Sequence, residues 1–486
     1  MKLDQLQLNT KYLDSVNKEF YQLLDATPLD DAFLISYNKK LCDEIGLDYE
    51  ECETQEFVDF INGKKILDGS IPYSMVYAGH QFGSFVPKLG DGRAINLGSI
   101  NNWHLQTKGS GLTNYSRQGD GRAVLRSSIR EYIISEAMNA LDIPTTRALA
   151  IIGSEHNVYR GAFDIQKGAV VLRASDSWIR IGTFEYFART KNPKKSLSQL
   201  ADFVISENYT HLENDENKYE KFFYELVDKT AVLIAKWQAY GFMHGVMNTD
   251  NMSVSGVTID YGPFSFMDYF EKHCICNHTD FEGRYSYNNQ PYIAKWNLFV
   301  LADSLSFITN FENLKQYLDT FFSLHERAYL ELMNKRLGLD INLSGDRNLD
   351  LILKLLNALE NSKIDYNLFF YKLSQIENID DFSSILDNCI DPTQMQNWLV
   401  DYKKALLLNP RAQNKKCEEM KKVNPKYIIK NYMLQEAIEK AEESDFKLVN
   451  DLLNIASNPF AKHEEFERYA KATPLEFANI KLSCSS

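Results

Sequence analysis

Apolar residues recur at helical spacing in two windows that frame the rest of the chain. Leu125, Ile129, Ile133, Ala137 and Leu141 fall four apart, which predicts a helix over 123–141, ended before Pro144 and carrying Glu131 off its apolar stripe. Phe222, Phe223, Leu226, Val232, Leu233 and Trp237 mark the broad apolar face of a longer helix over 219–242. Ahead of these windows the period shortens to two. Residues 103–108 alternate as a strand does and place Lys108 on the face of His104 and Gln106; 169–173 reads as another strand, followed by 175–182, which carries Arg180. Glycines crowd 79–121, as expected of a sheet with tight turns, some of them approached by a ligand. From about 294 to 460 the pattern is almost entirely helical, punctuated at 342–347 and at Asn409-Pro410. The first 70 residues carry Leu-containing helical segments, Pro28 and an acidic run, with no evident chemistry.

Composition narrows the class. The 486 residues are 44% hydrophobic and 13% aromatic, enough for one large core or two. A formal charge of -13 argues against broad electrostatic binding to nucleic acid or an anionic membrane. No apolar run approaches the roughly 18 residues that span a bilayer, so a cytoplasmic protein with no membrane or nucleic-acid partner is expected. Seven cysteines, an odd number spread over the chain, make no disulfide framework; Cys276 and Cys484 are the two to weigh.

The chemistry gathers at His244-Gly-Val-Met-Asn-Thr-Asp-Asn251 and Ile259-Asp-Tyr-Gly262. In protein kinases a His-x-Asp-x-x-x-x-Asn loop followed by an Asp before a Gly supplies the metal ligands. Here Asn251 and Asp260 fit, whereas Val246 occupies the catalytic-base position. Asp250 is the replacement carboxylate at hand. Lys108 on a strand and Glu131 on a helix match the kinase ion pair in order and spacing; taken alone they read as a solvated pair, but their place relative to Asn251 and Asp260 reverses that preference. Gly90-Asp-Gly-Arg93-Ala recurs as Gly119-Asp120-Gly121-Arg-Ala. Each copy suits a turn near phosphate oxygens, with Arg93 as a charge clamp, while Asp120 alternatively caps the following helix. Arg173 and Arg180 read either as phosphate ligands or as surface salt bridges. His273-Cys-Ile-Cys276-Asn-His278 has metal-ligand types, crowded and without a second cluster. The element order predicts an α+β, bilobal kinase-like fold: N-terminal extension 1–70, small β-rich lobe with one key helix 71–175, helical lobe with the catalytic loop 176–310, and C-terminal helical region 311–486.

With these motifs assembled, together with Tyr77-Ala-Gly-His-Gln-Phe-Gly83, Ile143-Pro-Thr-Thr-Arg-Ala-Leu149, Asp260-Tyr-Gly-Pro-Phe264 and Asn424-Pro-Lys-Tyr427, the chain resembles the selenoprotein O family, also called YdiU, from about Tyr77 to its end. The resemblance implies a kinase-like fold and transfer of AMP from ATP to Ser, Thr or Tyr hydroxyls of proteins, with the nucleotide flipped relative to kinases. By the same resemblance Gly90, Gly92, Arg93, Lys108, Asp120, Gly121, Arg173, Arg180 and Asp260 bind ATP. It further implies that Glu131 orients Lys108, that Asn251 and Asp260 hold magnesium or manganese, and that Asp250 accepts the proton. Cys276 and Cys484, in the closing Cys-Ser-Ser, match a family redox pair. A conventional kinase, or a catalytically silent nucleotide-binding scaffold, remains open.

Overall fold

Two-residue periodicity over residues 94–175 builds an antiparallel sheet whose faces are both covered. The computed structural model describes residues 1–160, 164–340, 345–408, 412–477 and 482. Strand order in the eight-stranded sheet is Tyr21–Leu23, Tyr73–Met75, Ala94–Ile100, Trp103–Lys108, Ile165–Ser175, Arg147–Tyr159 and Phe33–Tyr37, with the short Ala123–Val124 also pairing onto Ile165–Ser175. The outer strands of this order come from the N-terminal segment, which thus adds Tyr21–Leu23 and Phe33–Tyr37 to the sheet beside its short helices Lys39–Ile45 and Gln55–Asn62.

Alternation along Ile165–Ser175 decides what each face meets. Val170, Leu172 and Ala174 pack with Leu41, Phe57 and Ile61 of the N-terminal helices, whereas Ala169 and Val171 pack with Ile129 and Ile133 of the helix Leu125–Ala140. Arg173 shares the second face and therefore points at that helix. Register sets Arg173 opposite Gln106 and Val171 opposite Lys108, so the Lys108 face predicted from the period meets the same helix.

Beyond the sheet the chain is helical. Lys218–Tyr240 runs to Gly241, whose φ of 73° closes the helix in the left-handed region that glycine adopts without Cβ strain. Gln290–Leu305, Phe321–Leu337 and the later helices through Lys447–Ser457 follow. A second apolar cluster, with Phe369, Trp398 and Tyr402, unites the C-terminal helices. Of the expected break at 342–347, residues 345–347 open the helix Gly345–Ser362; the rest, like Asn409-Pro410, lies outside the described residues. Among the described residues no helix is long and apolar enough to cross a membrane.

The predicted face of the long helix needs one correction. Phe222, Phe223, Leu226, Leu233 and Trp237 are buried, but Val232 is 40% exposed, because it sits one position off the stripe that Leu233 occupies. Val232→Ser is expected to move the denaturant midpoint by the equivalent of less than about 0.5 kcal/mol. Leu233→Ala, which empties a core position, is expected to cost about 2–5 kcal/mol in the same measurement.

Candidate active site

Arg173 is almost wholly buried, and burial of a guanidinium is costly unless its donors are met. It donates to Glu131 Oε1 at 2.8 Å, to Asp260 Oδ1 at 2.7 Å and to Gln106 Oε1. Glu131 spends its other oxygen on Lys108, and Asp260 spends its other oxygen on Arg180, whose Nη1 also reaches the Asp250 carbonyl at 2.7 Å. Lys108 and Glu131 are therefore a buried pair, and the solvated reading of them fails. So does the surface reading of Arg173 and Arg180, which are each about 2% exposed. The network continues through Gln106 to Asn96 and from Asn96 to Asp91, at 3.0 Å each.

The loop that brings Asp260 to this network is held by neutral groups. Burial lowers the His244 pKa; its Nε2 meets the Ile259 carbonyl at 2.9 Å, and its ring stacks on Trp237 at 5.4 Å between centroids. Buried amides on the helix Gln290–Leu305 hold the other side: Gln290 accepts from the His244 amide at 3.1 Å, and Asn297 donates to the Met247 carbonyl at 2.9 Å. Asp260 itself lies at φ 59°, a left-handed conformation tolerated by aspartate.

A cavity of about 520 Å³ opens over this face. Gly90, Gly92, Arg93, Lys108, Asp120, Gly121, Arg173, Arg180, Val246, Asn251 and Asp260 line it, and so do Tyr77, Asp91, Tyr115, Arg117, Arg122 and Arg160. Among the described lining residues, seven cations face three carboxylates. Arg93 and Arg117 have no ion pair among the described residues, and the buried Nε groups of Arg173 and Arg180 have no hydrogen-bond partner. A positively charged cavity with unspent buried donors suits a polyanion.

The two glycine turns contribute differently from what their shared pentapeptide suggests. In the first, the amides of Asp91 and Gly92 already donate to the Met75 and Gly90 carbonyls, at 3.0 and 2.7 Å. What it presents to the cavity is Arg93; a Cβ at Gly90 would stand 2.3 Å from the Tyr115 ring and one at Gly92 2.9 Å from the Tyr115 carbonyl oxygen. In the second, Asp120 accepts from the Arg122 amide and from Arg160 Nη1, both at 2.9 Å. Asp120 is not a helix cap: the helix begins at Leu125 with Val124 as its N-cap, after the strand Ala123–Val124. Gly121 packs so closely on Gly111 that a Cβ would stand 2.1 Å from its carbonyl oxygen.

The two loop carboxylates are tuned apart. Burial pushes Asp260 up, but Arg180, Arg173 and Lys108 outweigh it and hold the carboxyl well below the usual range. Burial pushes Asp250 up to about 6, only partly opposed by Gln81 and Arg180. Asp250 sits on the 3-10 turn Thr249–Asn251 and is not among the cavity-lining residues, although Asn251 is. Asn251 donates Nδ2 to the Val246 carbonyl at 3.0 Å, which leaves its side-chain oxygen as the ligand end beside Asp260. These are two hard oxygen groups of the kind magnesium and manganese take, completed by phosphate oxygens and water. Among the described residues no grouping of three or more His, Cys, Asp or Glu side chains has a metal-binding arrangement.

Residues 3–457 match the model of the family described as "Protein adenylyltransferase SelO". The chain belongs to the SelO family. Its SelO-family relatives include proteins named "Protein nucleotidyltransferase YdiU" from Myxococcus xanthus, 42% identical over 491 residues covering 100% of this chain and 99% of that protein, and from Pseudomonas fluorescens Pf-5, 42% identical over 465 residues covering 94% of each. A Pseudomonas putida W619 protein of the same name is 40% identical over 489 residues, 100% of this chain and 99% of its own length.

Cys276 is buried, with its thiol pushed up by burial, and Cys484 lies outside the described residues. Reading the sequence missed Arg117, Arg122, Arg160 and Tyr115, which stand on turns without a period to betray them. The SelO cavity is expected to take up inorganic triphosphate without any nucleoside. At a hundredfold excess over Kd this would stabilise the fold by about 2.7 kcal/mol. A thermal shift that appears with adenosine but not with triphosphate would contradict the charge argument.

Proposed function

We propose that this SelO-family chain transfers AMP from ATP to Ser, Thr or Tyr hydroxyls of proteins, using a bilobal, kinase-like arrangement of its sheet and helical parts. One observation carries the reading: a cation-lined cavity ends at Asn251 and Asp260, with a carboxylate of raised pKa, Asp250, on the same turn as Asn251. Val246 leaves the kinase base position without a proton acceptor, which weighs against a conventional kinase. The buried Lys108–Glu131 pair, the order of strand, helix and loop, and the His244 tether support the kinase-like arrangement.

In this reading the acceptor oxygen attacks the α-phosphorus of ATP, and its proton passes to Asp250. The bond from that phosphorus to the α–β bridging oxygen breaks, and pyrophosphate leaves with the electron pair. Charge grows on the leaving group, where Lys108, Arg93 and the Asp120–Gly121 turn with Arg160 stand to stabilise it. Gly90 and Gly92 let Tyr115 pack against the turn, which holds Arg93 at the cavity. Arg173 and Arg180 act through Asp260, fixing its two oxygens, and offer their free Nε groups to the nucleotide. Magnesium or manganese, held by Asn251 and Asp260, would neutralise phosphate oxygens.

Incubation with ATP labelled at the α or the γ phosphate tests this directly. Label is expected to enter protein from the α position alone, and Asp250→Ala is expected to lower transfer by at least about a hundredfold while nucleotide binding persists. Transfer of the γ label instead would establish a kinase and overturn the proposal.

A Cys276–Cys484 disulfide belongs to the same reading. In support, the His278 amide donates to the Leu482 carbonyl at 3.0 Å, and Leu482 lines a cavity of about 210 Å³ together with Cys276. Peptide mapping after oxidation is expected to recover the two cysteines cross-linked; recovery of both as free thiols counts against it.

A further inference from the structure

The stretch Tyr77-Ala-Gly-His-Gln-Phe-Gly83 contributes only Tyr77 to the nucleotide cavity, yet it packs against the loop carboxylate. Gly79–Gln81 pairs with Ser84–Val86 in a hairpin of its own, outside the eight-stranded sheet. Phe82 and Gly83 turn it with φ of 49° and 83°, the positive pair a two-residue hairpin turn requires. Alternation then sends Gly79 and Gln81 to one face and His80 to the other.

Both faces are spent on residues 248–250. Gln81 Nε2 donates to Asp250 Oδ2 at 3.2 Å, and among the described residues no other side chain donates to this carboxylate. At Gly79 a Cβ would stand 2.3 Å from Asp250 Oδ1, so only glycine leaves the carboxylate where it is. The His80 amide donates to Thr249 Oγ1 at 2.7 Å, and Thr249 donates to Glu185, which also meets His80 Nδ1 at 2.8 Å. The Phe82 amide reaches Asn248 Oδ1 at 3.2 Å and Tyr285 Oη at 3.0 Å. Three successive loop residues are thus gripped by three successive hairpin residues. Among the described residues, Asp250 Oδ1 is buried and accepts no hydrogen bond.

We infer that the hairpin is the positioning device for Asp250 and that Gln81 is its positioning residue. This rests on the reading of Asp250 as the proton acceptor. Gln81 holds Oδ2 and Gly79 clears the space that Oδ1 occupies, so that together they fix the rotation of the carboxylate. Arg180 orients the backbone of the same residue but not its carboxylate. Loss of the Gln81 donor leaves the carboxylate free to rotate, which lowers the fraction of bound complexes poised to react and leaves the nucleotide cavity untouched.

The test is Gln81→Met, which keeps the length of the side chain and removes the donor, with Gly79→Ala as a second variant that displaces the carboxylate by contact. Each is expected to lower kcat by about a hundredfold, the cost of a misplaced reacting group, with KM for ATP and the Kd for ATP within about twofold of the parent. Amide exchange over residues 248–251 is expected to quicken in both variants while that of the Trp103–Lys108 strand stays unchanged. Unchanged kcat in Gln81→Met, or a parallel loss of ATP affinity, overturns the inference. If the parent protein transfers no AMP at all, the functional reading fails by itself, and the exchange measurement decides on the hairpin: faster exchange confined to 248–251 upholds the grip, and equal exchange removes it.

Discussion

Arg173 is the charge on which the arrangement of the site depends. It sits on a strand buried on both faces, where an unmatched guanidinium would cost several kcal/mol, and its needs are met by groups from three different elements: Gln106 from the neighbouring strand, Glu131 from the helix and Asp260 from the loop. Each of those partners has a second obligation. Glu131 also holds Lys108, Gln106 also holds Asn96, and Asp260 also holds Arg180. Moving any one element would strand a buried charge in another, so the sheet, the helix and the loop are locked in one relative position by electrostatic pairing as much as by packing.

That lock separates the duties of two carboxylates ten residues apart in the chain. Asp260, between two guanidiniums and near Lys108, stays ionised and suits work as a fixed anion. Asp250, desolvated and with only the Gln81 amide among the described side chains to steady it, has its carboxyl pushed up by burial instead. Divergent environments acting on like groups are how one site runs fixed-charge and proton-transfer chemistry side by side.

Much of this was legible before any coordinates. The period of two placed Lys108 on the face that meets the helix, and Glu131 stood out as a charge off an apolar stripe; that the two pair followed from the kinase order and their place relative to Asn251 and Asp260, not from spacing alone. Arg173 carried a readable sign that was passed over: Ala169 to Leu172 is apolar at every position, as in a strand covered on both faces, and a charge there has to be paired inside rather than on the surface. Val232 was misplaced because a face drawn as broad admits a neighbour of Leu233 that the helix turns outward. The strands Tyr21–Leu23 and Phe33–Tyr37 escaped notice because three to five residues are too few to display a period, and because their partners lie far along the chain. Asp120 resembled a cap only while the two-residue strand Ala123–Val124 before the helix was unseen. Arg122 and Arg160 owe their place to tertiary contacts, Arg122 to the Thr27 carbonyl and Arg160 to Asp120, which no local pattern encodes.

The loop's single 3-10 turn resolves the anomaly of Val246. A carboxylate two residues after His244 would lie at the cavity wall, where Val246 now stands with Asn251 and Asp260. Placed four residues later, beside Asn251, it faces away from the lining and onto the Gly79–Gln81 strand. One turn, Thr249–Asn251, therefore shows Asn251 to the cavity and Asp250 to the opposite side.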